Sequence, residues 1–123
     1  MKDLYCSYLQ KIGVPMFYAY WFNVGRYHNV VTIPKDSKKV NFSSDQKICF
    51  AFIVGNHSPD YVINDFYIIW NHLVPGGIIA FHDYEYDLPQ VTATINKLIK
   101  KHHREIKKLI LNSIKHIIFI MRR

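Results

Sequence analysis

The chain has 123 residues, half of them apolar and 15% aromatic, with 16 Lys and Arg against 9 Asp and Glu and a formal charge of +7. That length allows one domain, in which roughly two thirds of the unfolded surface leaves water, and the apolar fraction excludes a disordered chain. No apolar run approaches the ~18 residues of a membrane helix, and the two cysteines, Cys6 and Cys49, make neither a disulfide framework nor a metal cluster.

Met1, Lys2, Asp3 and Leu4 are not followed by a signal-type apolar stretch, so the sequence reads as cytoplasmic, with no membrane partner. The charge sits at one end. Residues 97–123 carry nine cations and one acid, +8, whereas the other 96 residues sum to −1. A solvated helix face, favoured by the helix dipole, accounts for this segment more simply than binding to nucleic acid or an anionic surface.

In chain order, Leu4, Tyr5, Tyr8, Leu9 and Ile12 recur at helical spacing, with Gly13 as a stop. Pro15 opens a second helix that Gly25 closes, although its aromatic content also suits a strand. Residues 29–33 are β-branched and end at Pro34, which predicts a strand. Residues 48–54 lack polar alternation, as in a strand buried on both faces of a parallel sheet.

Ser58, Pro59 and Asp60 mark a helix start, after which Val62, Ile63, Phe66, Trp70 and Leu73 share one face. Pro75-Gly76-Gly77 ends that helix, and residues 78–81 form a short strand. Pro89 opens a helix with Val91, Ile95, Leu98 and Ile99 inward, and residues 107–111 and 116–121 read as a hairpin around Asn112 and Ser113. The order indicates an α/β layer, a mostly parallel sheet with a C-terminal antiparallel edge hairpin.

In such sheets ligands bind beyond the carboxyl ends of the strands. Three segments should therefore converge there: Lys35-Asp36-Ser37, Gly55-Asn56-His57-Ser58 and His82-Asp83-Tyr84. His57 reads either as a base or ligand-contacting imidazole near a helix N-terminus, or as a turn cap. Gly55 gives room for a tight turn or a close ligand. Asp83 could bind a divalent cation, hold an imidazole or accept a proton, or else simply start a turn. With His57 and His82 it would make a nitrogen/oxygen metal site. Asp36 and Ser37 suit a nucleotide-like ligand or an ordinary Asx turn. No G-x-G-x-x-G, G-x-x-x-x-G-K or G-x-S-x-G occurs.

The run Ala51-Phe52-Ile53-Val54-Gly55-Asn56-His57-Ser58, then Tyr61, Asp65, Trp70, Leu73, Pro75-Gly76-Gly77 and Phe81-His82-Asp83-Tyr84, resembles class I S-adenosylmethionine-dependent methyltransferases. It is most similar to the small-molecule O-methyltransferase group with F-I-D-G-D-H-S-Y, L-x-P-G-G and F-H-D-Y. The likeness covers about residues 25–121, the second half of such a domain, and leaves residues 1–25 as an atypical helical segment of one truncated, Rossmann-like domain.

The resemblance implies S-adenosylmethionine as cofactor, with Asp36 and Ser37 at its adenine end and Gly55 and Asn56 alongside. His57, His82 and Asp83 would be catalytic, facing a small-molecule acceptor hydroxyl. Asp83 would hold any divalent metal, although Val54 and Asn56 replace the group's two acids. The E/D-x-G-x-G turn is absent, so a normally central strand would become an edge. That implies a homodimer, a complementing chain, or a non-catalytic remnant acting by association. A third reading is an anion-binding module working through the basic segment.

Overall fold

The structure, a computed structural model, describes residues 16–123, with side chains from Tyr20 onward. The helix expected from Leu4 to Ile12 lies outside the described residues. The chain divides into two units, Met1–Pro34 and Lys35–Arg123. In the first, helix α1 (Met16–Val24) ends where the Gly25 amide donates to the Trp21 carbonyl at 2.8 Å. A Cβ at Gly25 would lie 2.6 Å from that oxygen, so the helix stop requires glycine.

The strand expected over residues 29–33 does not form; this stretch is turn and irregular backbone. Its β-branched residues favour extended structure, but a strand is realised only by pairing, and no described strand pairs with it.

The second unit begins with a 3₁₀ turn (Ser37–Lys39). Strand β1 (Ile48–Ile53), helix α2 (Pro59–Trp70), strand β2 (Leu73–Phe81) and helix α3 (Pro89–Lys101) follow. A second 3₁₀ turn (His103–Glu105) leads into β3 (Ile106–Asn112) and β4 (Ile117–Arg122). The sheet order is β1-β2-β4-β3. β1 and β2 are parallel, while β2–β4 and β4–β3 are antiparallel; the C-terminal hairpin supplies the antiparallel side as expected, but with one parallel pair the described sheet is mixed and not mostly parallel.

Register separates the two faces of the sheet. Ala51, Ile79, Ile120 and Leu109 align across the strands, and so do Ile53, Phe81, Ile118 and Leu111. On this side Ile79, Phe81, Ile118 and Ile120 are buried together with Val62, Phe66 and Trp70 of α2 and Val91, Ile95 and Leu98 of α3. The opposite row runs Phe52, Ala80, Phe119 and Ile110. β1 is therefore not buried on both faces: Phe50 is 58% and Phe52 48% exposed. Continuous apolarity signalled a covered strand, but β1 is an edge whose second face carries no packed helix of this unit.

Local signals explain the helix ends. Ser58 is the N-cap of α2 and its carbonyl accepts from Tyr61 and Val62, yet its hydroxyl makes no capping bond. The Asn56 side chain instead accepts the Ser58 amide at 2.9 Å. Helix α2 stops at Trp70, so Pro75-Gly76-Gly77 falls inside β2. There the register jumps: Ile48 faces Leu73, but Phe50 faces Ile78. Gly76 takes φ +80, and a Cβ on Gly77 would lie 2.8 Å from the Val74 carbonyl and 2.9 Å from the Leu73 side chain. Gly77→Ala should accordingly lower stability by about 1–3 kcal/mol, read as a reduced urea midpoint at unchanged slope. An unchanged midpoint would show that the bulge yields freely.

Two cations of the basic segment are structural. Arg122 Nη1 donates to the carbonyls of Trp70 (2.5 Å) and Leu73 (2.9 Å), and its guanidinium lies 5.1 Å from the Trp70 ring centroid. It thereby satisfies a carbonyl at the C-terminus of α2. The Arg123 guanidinium donates from Nη2 to the Ile106 carbonyl at 3.4 Å, and its backbone amide donates to the Glu105 carbonyl at 2.7 Å. Lys97, Lys100, Lys101, Arg104, Lys107, Lys108 and Lys115 are exposed. No described helix is long and apolar enough to cross a membrane.

Candidate functional site

Parallel pairing brings the carboxyl ends of β1 and β2 together, Ile53 opposite Phe81, and the His82 amide extends the ladder by donating to the Ile53 carbonyl at 3.1 Å. The segments that follow, 54–58 and 82–84, therefore meet. His57 Nε2 lies 2.7 Å from Asp83 Oδ2, and His82 Nδ1 lies 2.8 Å from Asp83 Oδ1. The second contact is too oblique for a directed hydrogen bond, which leaves buried His82 Nδ1 without one. The two imidazole side chains are 43% and 40% exposed, against 16% for the carboxylate between them. Phe52 packs edge-on against His82, ring centroids 6.2 Å apart.

Burial pushes the Asp83 carboxyl up, but the imidazoles of His57 and His82 outweigh it and hold the group below its ordinary value. Asp83 is thus an anion at neutral pH and can only accept. Neutral His57 therefore carries its proton on Nε2, toward Asp83, and presents the Nδ1 lone pair as its basic atom.

A pH dependence of stability follows. A carboxyl depressed in the folded state stabilises fully above its unfolded value and loses that contribution as pH falls through the folded one. Thermal midpoints of the wild type and Asp83→Asn should differ most above the ordinary carboxylate value of about 4 and converge only as pH falls below it, through the lower folded value. A gap constant from neutral to acidic pH would contradict the assignment.

The third expected segment is placed differently. Asp36 follows no strand; it caps the 3₁₀ turn, accepting from the Lys38 amide at 2.9 Å and from the Tyr61 hydroxyl at 2.6 Å. Lys38 Nζ lies 4.3 Å from the Tyr61 ring centroid. Asp36 and Ser37 thus lie beside the first turn of α2, tied there by Tyr61. Sequence reasoning named this tyrosine only as part of the family pattern and gave it no role, although its place in the helix's first turn was legible. Gly55 has open surroundings, the nearest atom to an added Cβ being Asp65 Oδ2 at 3.5 Å.

A second histidine cluster was also passed over. His102, at the end of α3, contacts the Tyr67 hydroxyl through Nε2 (2.9 Å) and Glu105 through Nδ1 (2.5 Å), against the rings of Phe66 and Trp70. Hydrogen bonding to His102 holds the Glu105 carboxyl low. This cluster ties α2 to the end of α3.

A divalent metal does not fit the residues present. Among the described residues no group of three His, Cys, Asp or Glu is disposed to hold one. Asp83 turns both oxygens toward imidazole nitrogens, and Val54 and Asn56 add no anionic ligand. For a sulfonium methyl donor the chain offers the half-exposed ring of Phe52, an aromatic face that attracts cations, and the open backbone at Gly55.

No curated protein matches the chain. A family model described as a methyltransferase domain matches residues 11–84, which is 74 of the 123 residues. The match takes in α1, β1, α2 and β2 and closes on the turn that holds His82 and Asp83. With the mixed α/β layer and the paired strand-end loops, that match establishes the chain as a member of the methyltransferase-domain family.

Proposed function

We propose that the protein methylates a hydroxyl of a small-molecule acceptor with S-adenosylmethionine as donor, and that His57 is the base. The observation that supports this most directly is the 2.7 Å contact of His57 with Asp83 at the carboxyl ends of a parallel strand pair. S-adenosylmethionine supplies an electrophilic methyl group on a sulfonium. The chain's own residues do the rest. His57 Nδ1 takes the acceptor's O–H proton, leaving its oxygen nucleophilic. Asp83 fixes the imidazole tautomer and stabilises the imidazolium that forms. His82 and Phe52 wall the acceptor side. Gly55 and Asn56, on the loop that bears His57, and Asp36 and Ser37, beside α2, are assigned to the cofactor. Alignment of acceptor and methyl group supplies much of the acceleration in such reactions.

Imidazole nitrogen NMR tests this reading. Titration of S-adenosylmethionine into the protein should move the His57 and His82 resonances and leave His103, remote from the site, unmoved. Site resonances that stay fixed at millimolar cofactor, in a folded sample, would sink it.

A second reading, a non-catalytic chain that acts by pairing with a second copy, is favoured by the exposure of Phe50 and Phe52 on edge strand β1. A strand edge can pair with itself about a twofold axis. Sedimentation equilibrium should then show a dimer that Phe50→Lys and Phe52→Lys dissociate. A monomer at all concentrations would refute it.

A further inference from the structure

Asp83 reaches the two imidazoles from a backbone geometry that side-chain-bearing residues avoid. Its φ is 61, and that of Glu85 is 56, both in the left-handed region. Asp tolerates this region better than most residues, Glu does not, and such conformations persist only where the surroundings over-determine them. The residue between them, Tyr84, is buried.

The turn is held from outside by α3 and by the β3–β4 turn. The Tyr84 hydroxyl donates to Asn96 Oδ1 of α3 at 2.6 Å. The Glu85 amide donates to Thr92 Oγ1, one helical turn earlier on α3, at 2.8 Å. From the β3–β4 turn, the His116 carbonyl accepts the Tyr84 amide at 3.0 Å, and His116 Nδ1 donates to the Glu85 carbonyl at 3.1 Å. Burial, followed by the neighbouring Glu85 charge, raises the Tyr84 hydroxyl pKa, so it stays protonated and donates.

We infer that Tyr84, through its hydrogen bond to Asn96, is a positioning residue that locks the Asp83–Glu85 turn in its left-handed form and so aims the Asp83 carboxylate at His57. Tyr84 touches no reacting group. It acts through Asp83, and the usefulness of that aim rests on the reading of His57 as a base. The lock itself is a property of the free protein, so its test needs neither cofactor nor acceptor. A protein without methyl transfer but with the lock intact would count against the function alone.

The experiment is carbon-detected NMR titration of the Asp83 carboxyl in the wild type, Tyr84→Phe, Asn96→Ala and Asn96→Asp. Tyr84→Phe keeps the ring that fills the core and removes only the hydroxyl. Asn96 lies on the outer side of α3, where alanine is well tolerated in a helix. Both changes should raise the Asp83 titration midpoint toward the ordinary carboxylate value as the imidazoles lose their aim. The His57 Nε2 proton resonance should broaden in the same two variants. Asn96→Asp retains an acceptor for the Tyr84 hydroxyl, so its midpoint should stay below that of Asn96→Ala although the added charge acts to raise it. A purely space-filling role for Tyr84 predicts one midpoint in the folded wild type, Tyr84→Phe and Asn96→Ala, and that result would overturn the inference. Should Tyr84→Phe fail to fold, the contrast between Asn96→Ala and Asn96→Asp decides the question alone.

Discussion

Phe66→Ala is expected to bring the second unit close to unfolding at room temperature. Phe66 is almost completely buried and stacks on Trp70 at 4.9 Å and 20°, and on Phe81 at 6.4 Å and 17°. It also meets Tyr67 edge-on and the His102 ring at 5.4 Å. One side chain thus joins α2 to β2 and to the end of α3. Removing a buried phenyl ring costs about 3–5 kcal/mol, a large share of the ~5–15 kcal/mol that holds a small domain together. With a urea slope of about 1–2 kcal/mol/M, the midpoint should fall by about 1.5–5 M. Phe66→Leu should lose less than half as much, because it leaves a smaller void. A fall below 1 M for the alanine variant would mean that the surrounding rings close the gap.

The second large effect concerns the site. His57→Ala should lower kcat for methyl transfer about 10²–10⁴-fold, with little change in KM for the acceptor, since a general base acts on the transition state and adds little to ground-state binding. Asp83→Asn should approach the same loss by a different route. An amide that donates to Nε2 places the ring proton on Nδ1, so the basic atom no longer faces the acceptor. His82→Ala, whose nitrogen makes no directed hydrogen bond, should cost less than either. A tenfold or smaller loss in His57→Ala would place the base elsewhere.

Much of this architecture was legible before any coordinates, because the signals involved are local. Pro59 and the Val62, Phe66, Trp70 spacing gave α2; Pro89 with Val91, Ile95 and Leu98 gave α3; and Asn112 marked the hairpin turn. The meeting of the His57 and Asp83 loops was also legible, because parallel strands put their carboxyl ends on one edge.

What escaped depended on partners distant in sequence. The β-branched run at 29–33 is not paired with any described strand. β1 looked interior by composition but is an edge by topology. Asp36 appeared free to meet a ligand, whereas Tyr61, 25 residues on, takes one of its oxygens. His102 was lost within a run of cations, although Tyr67, 35 residues earlier, makes it an internal hydrogen-bonding group. Arg122 read as one more surface charge, yet it caps carbonyls some fifty residues back.

The position of β4 bears on the order in which the molecule can be built. It is the last strand in the chain, yet it lies inside the sheet, with β2 on one side and β3 on the other. Residues 78–81 pair with residues 118–121, so β2 waits for about forty further residues before its second neighbour exists. During synthesis at about 5–20 residues per second, that interval amounts to seconds in which Ile79 and Phe81 lack the strand that covers them. Assembly of the core is thus gated by the arrival of the last strand. A chain stopped before Ile117 would present an apolar β2 paired with β1 on one side and open along its other edge to quality-control proteases.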